Sequence, residues 1–104
     1  MPTITDALTD AEILTEIGSR LRSYRLQQNV TVATVAKRAG LNPNTVVNAE
    51  GGKNPRMMTV LRLLRVYGRI ESVNAFLPSP PVSPLQLASR RGRPRQRART
   101  RLDG

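Results

Sequence analysis

The sequence predicts an all-α protein: a compact bundle of five short helices followed by an extended basic C-terminal arm. Apolar residues recur at spacings of three and four through most of residues 10–77, which is the period of an amphipathic helix. Residues that cap and stop helices divide this stretch into short segments. Residues 89–104 hold seven Arg and one Asp with almost nothing apolar, so they cannot join a core.

The first helix is predicted to begin at Asp10, the expected N-cap, and to run to about Gln28. Its apolar residues share one face, at Ile13, Ile17, Leu21 and Tyr24. Glu12 and Glu16 suit the positive end of the helix dipole. Residues 1–9 lack a sustained period and are expected to form a flexible N-terminal arm.

The second and third helices are short and are separated by a tight turn. Thr31 is the expected cap of the second helix, and Gly40 is expected to end it in the left-handed conformation. Its inward residues are Val32, Val35, Ala36 and Ala39. Asn42 followed by Pro43 is an N-cap with proline at the first helical position, so it starts the third helix, which runs to about Glu50.

A fourth helix is predicted from Arg56 to Tyr67, with Gly68 as its stop. Its expected inward residues are Met57, Val60, Leu61 and Leu64. The apolar positions 70, 73 and 76 then predict a short fifth helix. Together the five helices define one predicted domain over residues 10–77.

Composition excludes several classes of protein. The chain has no Cys and no His, which excludes a disulfide framework, a zinc finger and histidine-based acid–base catalysis. No nucleophile–base pair or phosphate-binding loop is visible, so we expect no enzyme activity, no cofactor and no metal. The net charge of +10 favours a polyanionic partner. No apolar run approaches the roughly 20 residues of a membrane span, so we expect a cytoplasmic, nucleoid-associated protein with no membrane partner.

Several separate positions agree in order and spacing with one known family. They are Arg20-Leu21-Arg22, Arg25, Thr31, Ala36, Ala39-Gly40-Leu41, Glu50, Gly52-Lys53 and Pro55-Arg56. Over residues 13–77 the chain resembles the lambda-repressor/Cro type of helix-turn-helix domain, also called XRE-like. The resemblance implies that the partner is double-stranded DNA and that the third helix lies in its major groove.

The resemblance implies that the early part of the third helix faces the bases. The positions concerned are Asn42, Pro43, Asn44, Val47 and Asn48. An Asn amide can pair with the N6/N7 edge of adenine, and a Val side chain can contact a thymine methyl. The alternative for Asn42 is a helix cap alone, and for Asn44 and Asn48 it is an ordinary solvated face.

A second set of residues is implied to contact the sugar-phosphate backbone. This set consists of Thr31, Lys53, Asn54, Arg56, Arg20 and Arg22. Lys53, Asn54 and Arg56 lie where the loop after the third helix meets the start of the fourth. A helix N-terminus with basic side chains beside it suits phosphate. Arg56 can instead enter the minor groove, or be a surface residue with no role.

Arg25 and Glu50 are assigned to architecture rather than recognition. The resemblance implies that they pair beneath the turn and tie the first helix to the end of the third. Two positions depart from the family's pattern. Val32 stands where a glutamine normally contacts phosphate, and Ala49 stands where a large aliphatic residue is usual. Ala49 either leaves room in the core or lets a neighbouring side chain fill it.

The C-terminal quarter of the chain is expected to lie outside the bundle. Residues 78–88 form a proline-rich linker in which Ser83-Pro84 can cap one or two further helical turns. Residues 89–104 are expected to be disordered on their own. Here Arg91, Arg93 and Arg95, within and beside a Gly-Arg-Pro core, resemble an AT-hook that lies in narrow A·T minor grooves. The alternatives are a generic phosphate-binding tail and an arm that grips a partner protein.

These observations predict a sequence-specific transcriptional regulator, a repressor acting as a homodimer. The late apolar residues either form the dimer surface or close the monomer core; they are Ile70, Val73, Phe76 and Leu77. The layout also resembles HipB-type antitoxins, which repress their own operon and restrain a HipA-type kinase toxin. The alternative class is a non-specific or architectural nucleic-acid-binding protein dominated by the AT-hook-like tail.

Deleting residues 89–104 should weaken binding to every DNA sequence and flatten its salt dependence, because each lost Arg–phosphate contact removes a released counterion. The measurement is the slope of log affinity against log salt concentration, for the full and the truncated chain on one duplex. An unchanged slope would show that this arm faces something other than phosphate.

Overall fold

The computed structural model describes residues 3–82, which form α-helices without β-strands. The helices are α1 (Asp10–Gln27), α2 (Val32–Ala39), α3 (Pro43–Glu50), α4 (Met57–Val66) and α5 (Val73–Phe76), with a 3-10 turn at Ile70–Ser72 before α5. The predicted all-α fold with five helices is confirmed over this range. The predictions for Ser83-Pro84 and for the arginine tail, including Arg91, Arg93 and Arg95, lie outside the described residues.

The N-terminus of α1 is closed by a capping box centred on Thr9. The Thr9 hydroxyl accepts a hydrogen bond from the Glu12 backbone N–H at 3.1 Å, and the Glu12 carboxylate accepts one from the Thr9 N–H at 2.8 Å. The prediction of Asp10 as N-cap was therefore wrong by one residue. Thr followed three positions later by Glu satisfies two free N–H groups, whereas a lone Asp cap satisfies one.

The two short helices begin and end at the predicted residues. Thr31 caps α2 by accepting a hydrogen bond from a backbone N–H of the first turn, and Gly40 ends it with φ of 67°. The Asn42 side chain accepts a hydrogen bond from the Asn44 N–H at 2.8 Å, and Pro43 occupies the first position of α3. The sequence signals for this part of the fold are therefore confirmed.

The buried stripe of α4 differs from the prediction. Leu63 and Tyr67 are buried, together with Thr59, whereas Met57 is 56% exposed and was wrongly predicted to face inward. The other predicted inward residues are half-buried; they are Val60, Leu61 and Leu64. Seven of the ten residues of α4 are apolar, so more than one helical phase fits the pattern and the sequence could not select between them.

The core lies among the first four helices. Its buried apolar residues are Leu21, Val35, Ala36, Val46, Ala49, Leu63 and Tyr67. α3 packs against both α1 and α2, and it contributes Val46 and Ala49 to this cluster. α5 is peripheral, since Val73 is half-buried and Phe76 is exposed. The second and third helices are thus held from one side, which leaves the other side of α3 open to solvent.

The end of α3 contacts α1 backbone to backbone at Gly18. A Cβ atom at Gly18 would lie 2.5 Å from the Glu50 carbonyl oxygen and 2.6 Å from that of Ala49. The same contact extends to Gly52, where a Cβ atom would lie 2.6 Å from the Thr15 Cα. Neither neighbour can rotate away, because the atoms are backbone atoms. The absence of side chains at both glycines is therefore what sets the distance between α1 and α3.

We expect Gly18→Ala to destabilise the protein by about 1–3 kcal/mol, because overpacking against backbone outweighs the gain in helix propensity. Gly51→Ala is the matched control, since a Cβ atom there meets its nearest neighbour at 3.5 Å, an ordinary contact. The free energy of unfolding, measured by chemical denaturation, compares the two variants. Equal stabilities would contradict the close contact at Gly18.

Candidate nucleic-acid interface

The solvent side of α3 carries all five predicted base-reading residues. They are Asn42, Pro43, Asn44, Val47 and Asn48, and each is exposed. Val47 is 51% exposed although it is apolar, while its neighbours Val46 and Ala49 are buried. The Asn42 side-chain oxygen is occupied by the helix cap, so its amide N–H₂ is the group left to contact a ligand. The structure thus brings three amides and one apolar side chain to one surface.

A partly buried ion pair fixes the other end of α3. Arg25 Nε donates to Glu50 Oε2 at 2.7 Å, and Arg25 Nη2 donates to Glu50 Oε1 at 3.1 Å. A third bond runs from Arg25 Nη1 to the Val30 carbonyl oxygen at 3.1 Å, just before α2. The hydrogen bond to Glu50 is the main cause that raises the pKa of Arg25 above its ordinary value. One guanidinium therefore ties α1 to α3 and to the entry of α2.

The predicted phosphate-contacting residues separate into two groups. Lys53, Asn54 and Arg56 are exposed in the loop between α3 and α4. Asn54 adopts the left-handed conformation with φ of 45°, which lets this loop turn within a few residues. Thr31 is exposed at the start of α2, some distance along the chain from this loop. The loop residues lie next to the end of α3 and extend its exposed surface with positive charge.

The two arginines of α1 that were predicted to contact phosphate, Arg20 and Arg22, have different surroundings. Arg22 is exposed. Arg20 Nε pairs with Glu16 Oε2 at 2.9 Å, on the same face of the helix one turn away. Glu16 is only 8% exposed, so its part in this pair differs from the expected role at the helix dipole. The spacing of four residues between an acidic and a basic side chain was the signal that could have indicated this pair.

Sequence reasoning missed an exposed apolar pair beside the basic loop. Met57 and Met58 begin α4 directly after Arg56, and they are 56% and 59% exposed. The late apolar residues are also only partly covered: Ile70 and Val73 are half-buried, whereas Phe76 and Leu77 are 64% and 73% exposed. These apolar side chains are available for contact with another molecule.

Between residues 3 and 82, no group of three or more His, Cys, Asp or Glu side chains is placed to hold a metal ion. None of the helices in that range is both long enough and apolar enough to pass through a lipid bilayer.

Residues 16–73, more than half of the chain, match the helix-turn-helix domain family. The chain belongs to this family. The matched segment starts within α1 and ends at the first residue of α5, so it includes α2, the turn, α3 and the supporting α4. No curated protein sequence matches the chain. The family resemblance predicted from the sequence is confirmed, and the helix-turn-helix domain is a DNA-binding regulatory module.

Tyr67 lies beneath the interface, close to the Arg25–Glu50 pair. Its ring packs against that of Tyr24 with a centroid distance of 6.1 Å, and its hydroxyl finds no hydrogen-bond partner among residues 3–82. Burial raises the pKa of Tyr67 to about 12, with Glu50 adding to the rise and Arg25 opposing it. The neutral phenol is therefore the form that the folded protein favours.

We expect Tyr67→Phe to leave stability at neutral pH unchanged or to raise it by up to about 1 kcal/mol, because no hydrogen bond is lost. The natural chain should lose stability as pH rises from about 10 towards 12, since its folded pKa exceeds the unfolded value. Chemical denaturation of both proteins across that pH range measures the difference in their free energies of unfolding. Lysine ionisation affects both proteins equally and does not contribute to this difference. The same pH dependence of the free energy of unfolding in both proteins would contradict the burial of this hydroxyl.

Proposed function

We propose that the protein is a sequence-specific transcriptional repressor that binds double-stranded DNA at the nucleoid. The observation that carries the proposal is the exposed face of α3, which presents amides and one Val directly beside a basic loop. Family membership supports the assignment of α3 as the helix that enters the major groove. In this arrangement one helix reads base edges while the loop and helix ends hold the backbone.

Base reading falls to the exposed residues of α3 and its cap. Asn44 and Asn48 are four residues apart, so their amides project from one side of the helix, one turn apart. Each can make a two-bond contact with adenine, and Val47 between them can contact a thymine methyl. Asn42 and Pro43 lie at the tip of the helix, where they approach the groove first. The predicted preference is therefore for A·T pairs within each half-site.

We assign contacts with the DNA sugar-phosphate backbone to residues at the edges of this surface. Lys53, Asn54 and Arg56 follow α3 and precede the N-terminus of α4, so charge and helix dipole attract phosphate together. Thr31, at the start of α2, has a hydroxyl that donates to Thr34 Oγ1 at 3.0 Å and would turn to donate to phosphate instead. Arg20 and Arg22 add positive charge from α1. These contacts position α3 without reading sequence.

A homodimer completes the proposed repressor. α3 has eight residues and is about 12 Å long, so one copy contacts only a few base pairs. Exposed Phe76 and Leu77 provide an apolar surface that a second copy can cover, with Ile70 and Val73 at its edge. A two-fold dimer would place two recognition helices one turn apart, at about 34–36 Å, on a palindromic site.

A HipB-like role as antitoxin and autorepressor is a narrower form of this proposal. Its support is the layout of a small regulator followed by a Pro-rich segment and a basic tail. Co-purification of a HipA-type kinase with the tagged protein from its natural host would support this role. Recovery of the regulator without a kinase would favour a free-standing repressor.

The alternative is a non-specific or architectural DNA-binding protein dominated by the arginine tail. It is favoured by the charge distribution, with seven arginines in residues 89–104. Selection of bound duplexes from a random pool at fixed salt separates the two. A repressor should enrich a palindrome that binds at least about 1,000-fold more tightly than scrambled DNA. Equal binding of selected and scrambled duplexes would favour the architectural protein.

We expect Asn48→Ala to relax base preference at one position in each half-site, at a cost of about 1–3 kcal/mol for the preferred base. Gln27→Ala is the matched control, because it removes an exposed amide from the end of α1. Affinities for duplexes substituted at each position in turn give the readout. A uniform loss across all positions would contradict base reading by Asn48 and indicate a backbone contact.

A further inference from the structure

A cleft of about 330 Å³ lies between α2 and α4. Three of its lining residues are arginines and two are small or apolar; they are Arg38, Arg62, Arg65, Ala39 and Val66. We call this the arginine cleft. All three arginines are exposed, while Ala39 and Val66 are half-buried. The cleft therefore combines a concentrated positive charge with a small apolar surface.

None of these arginines is neutralised by a carboxylate within residues 3–82. The ion pairs there are Arg20–Glu16 and Arg25–Glu50, both outside the cleft. Arg62 Nη1 donates instead to the Gly40 carbonyl oxygen at 3.3 Å. Arg62 and Arg65 are three residues apart on α4, where like charges repel. The described residues thus gather cations from two helices and include no carboxylate paired with them to offset their repulsion.

The cleft arginines lie beyond the proposed phosphate contacts Arg56 and Thr31 along both helices. Arg56 stands at the N-terminus of α4, and Arg62 and Arg65 follow it by about 9 and 13 Å of helix rise. Arg38 is likewise about 10 Å of rise beyond Thr31, the proposed phosphate contact of α2. In both helices the N-terminal end carries the DNA contact, and the cleft is formed by later residues. This separation favours a partner other than the bound duplex.

We propose that the arginine cleft docks an acidic segment of a partner protein. Guanidinium groups bind carboxylates with two parallel hydrogen bonds, and three of them suit a segment with several acidic residues. Ala39 and Val66 give an apolar side chain of that segment a place to rest. The cleft is open to solvent and bordered by two helices, which suits an extended segment better than an enclosed small anion. This inference goes beyond the proposed repressor function and does not require it.

The test uses the full-length protein and a fluorescein-labelled peptide with four repeats of Glu-Glu-Leu. The double variant Arg38→Gln/Arg65→Gln removes two charges from the cleft and keeps the Arg62 bond to Gly40. The matched control Arg97→Gln/Arg99→Gln removes two charges from the tail. Fluorescence anisotropy at physiological salt gives the affinities. We expect the cleft variant to bind at least about tenfold more weakly, and the tail variant to change less than about threefold.

Three results would overturn the proposal. Equal losses in the two variants would show general charge attraction, and binding of a Gln-for-Glu peptide as tightly as the acidic one would show that carboxylates are not recognised. A cleft variant that loses affinity for a random duplex but not for the peptide would assign the cleft to DNA. Thermal melts establish that the variants fold. Independently, addition of the acidic peptide to the natural protein should change amide NMR shifts mainly in residues 37–41 and 61–66. Changes concentrated elsewhere would contradict docking in the cleft.

Discussion

The position of α3 depends on the junction where its C-terminal end meets α1, together with its packing against α2. Arg25 there binds both carboxylate oxygens of Glu50, and Gly18 lets the two backbones touch. α3 is only eight residues long and cannot persist as a helix alone, so tertiary contacts must hold it. Losing one partner of a fully buried pair costs on the order of 3–5 kcal/mol, so the loss from this partly buried pair is at most about that size, a large share of the stability of a small domain. The position of the exposed face of α3 therefore depends on residues that lie outside that face.

Much of the fold was predictable because local signals decide it. Thr31, Gly40, Asn42 and Pro43 each have a distinct capping or turn preference, and the helices start and stop as those preferences require. The register of α4 was not predictable, since its apolar residues are too numerous to define one face. The cap at Thr9 was available in the sequence but competed with a plausible neighbour. Local sequence signals thus predicted where helices begin and end more reliably than they predicted which side chains are buried.

The functional surfaces also differ in whether local sequence could predict them. The exposed amides of α3 followed from a contiguous motif, so their common surface could be anticipated before any coordinates. The arginine cleft joins residue 38 to residues 62–66, and only the packing of α2 on α4 brings them together. Exposure of Phe76 and Leu77 also could not be predicted, because apolar residues at helical spacing are usual for core and contact surface alike.

The two sides of α3 share almost no residues, and this has an evolutionary consequence. Val46 and Ala49 meet the core and Glu50 meets Arg25, whereas the five exposed positions touch neither. Substitutions at Asn44, Val47 and Asn48 can accumulate at little thermodynamic cost, because surface changes away from caps and charges seldom alter stability much. Asn42 and Pro43 are more constrained, since they cap and begin α3. If α3 reads DNA as proposed, the scaffold can diverge towards new binding sites while its interior stays constant. Gene duplication followed by drift in those few codons would suffice to separate two regulators.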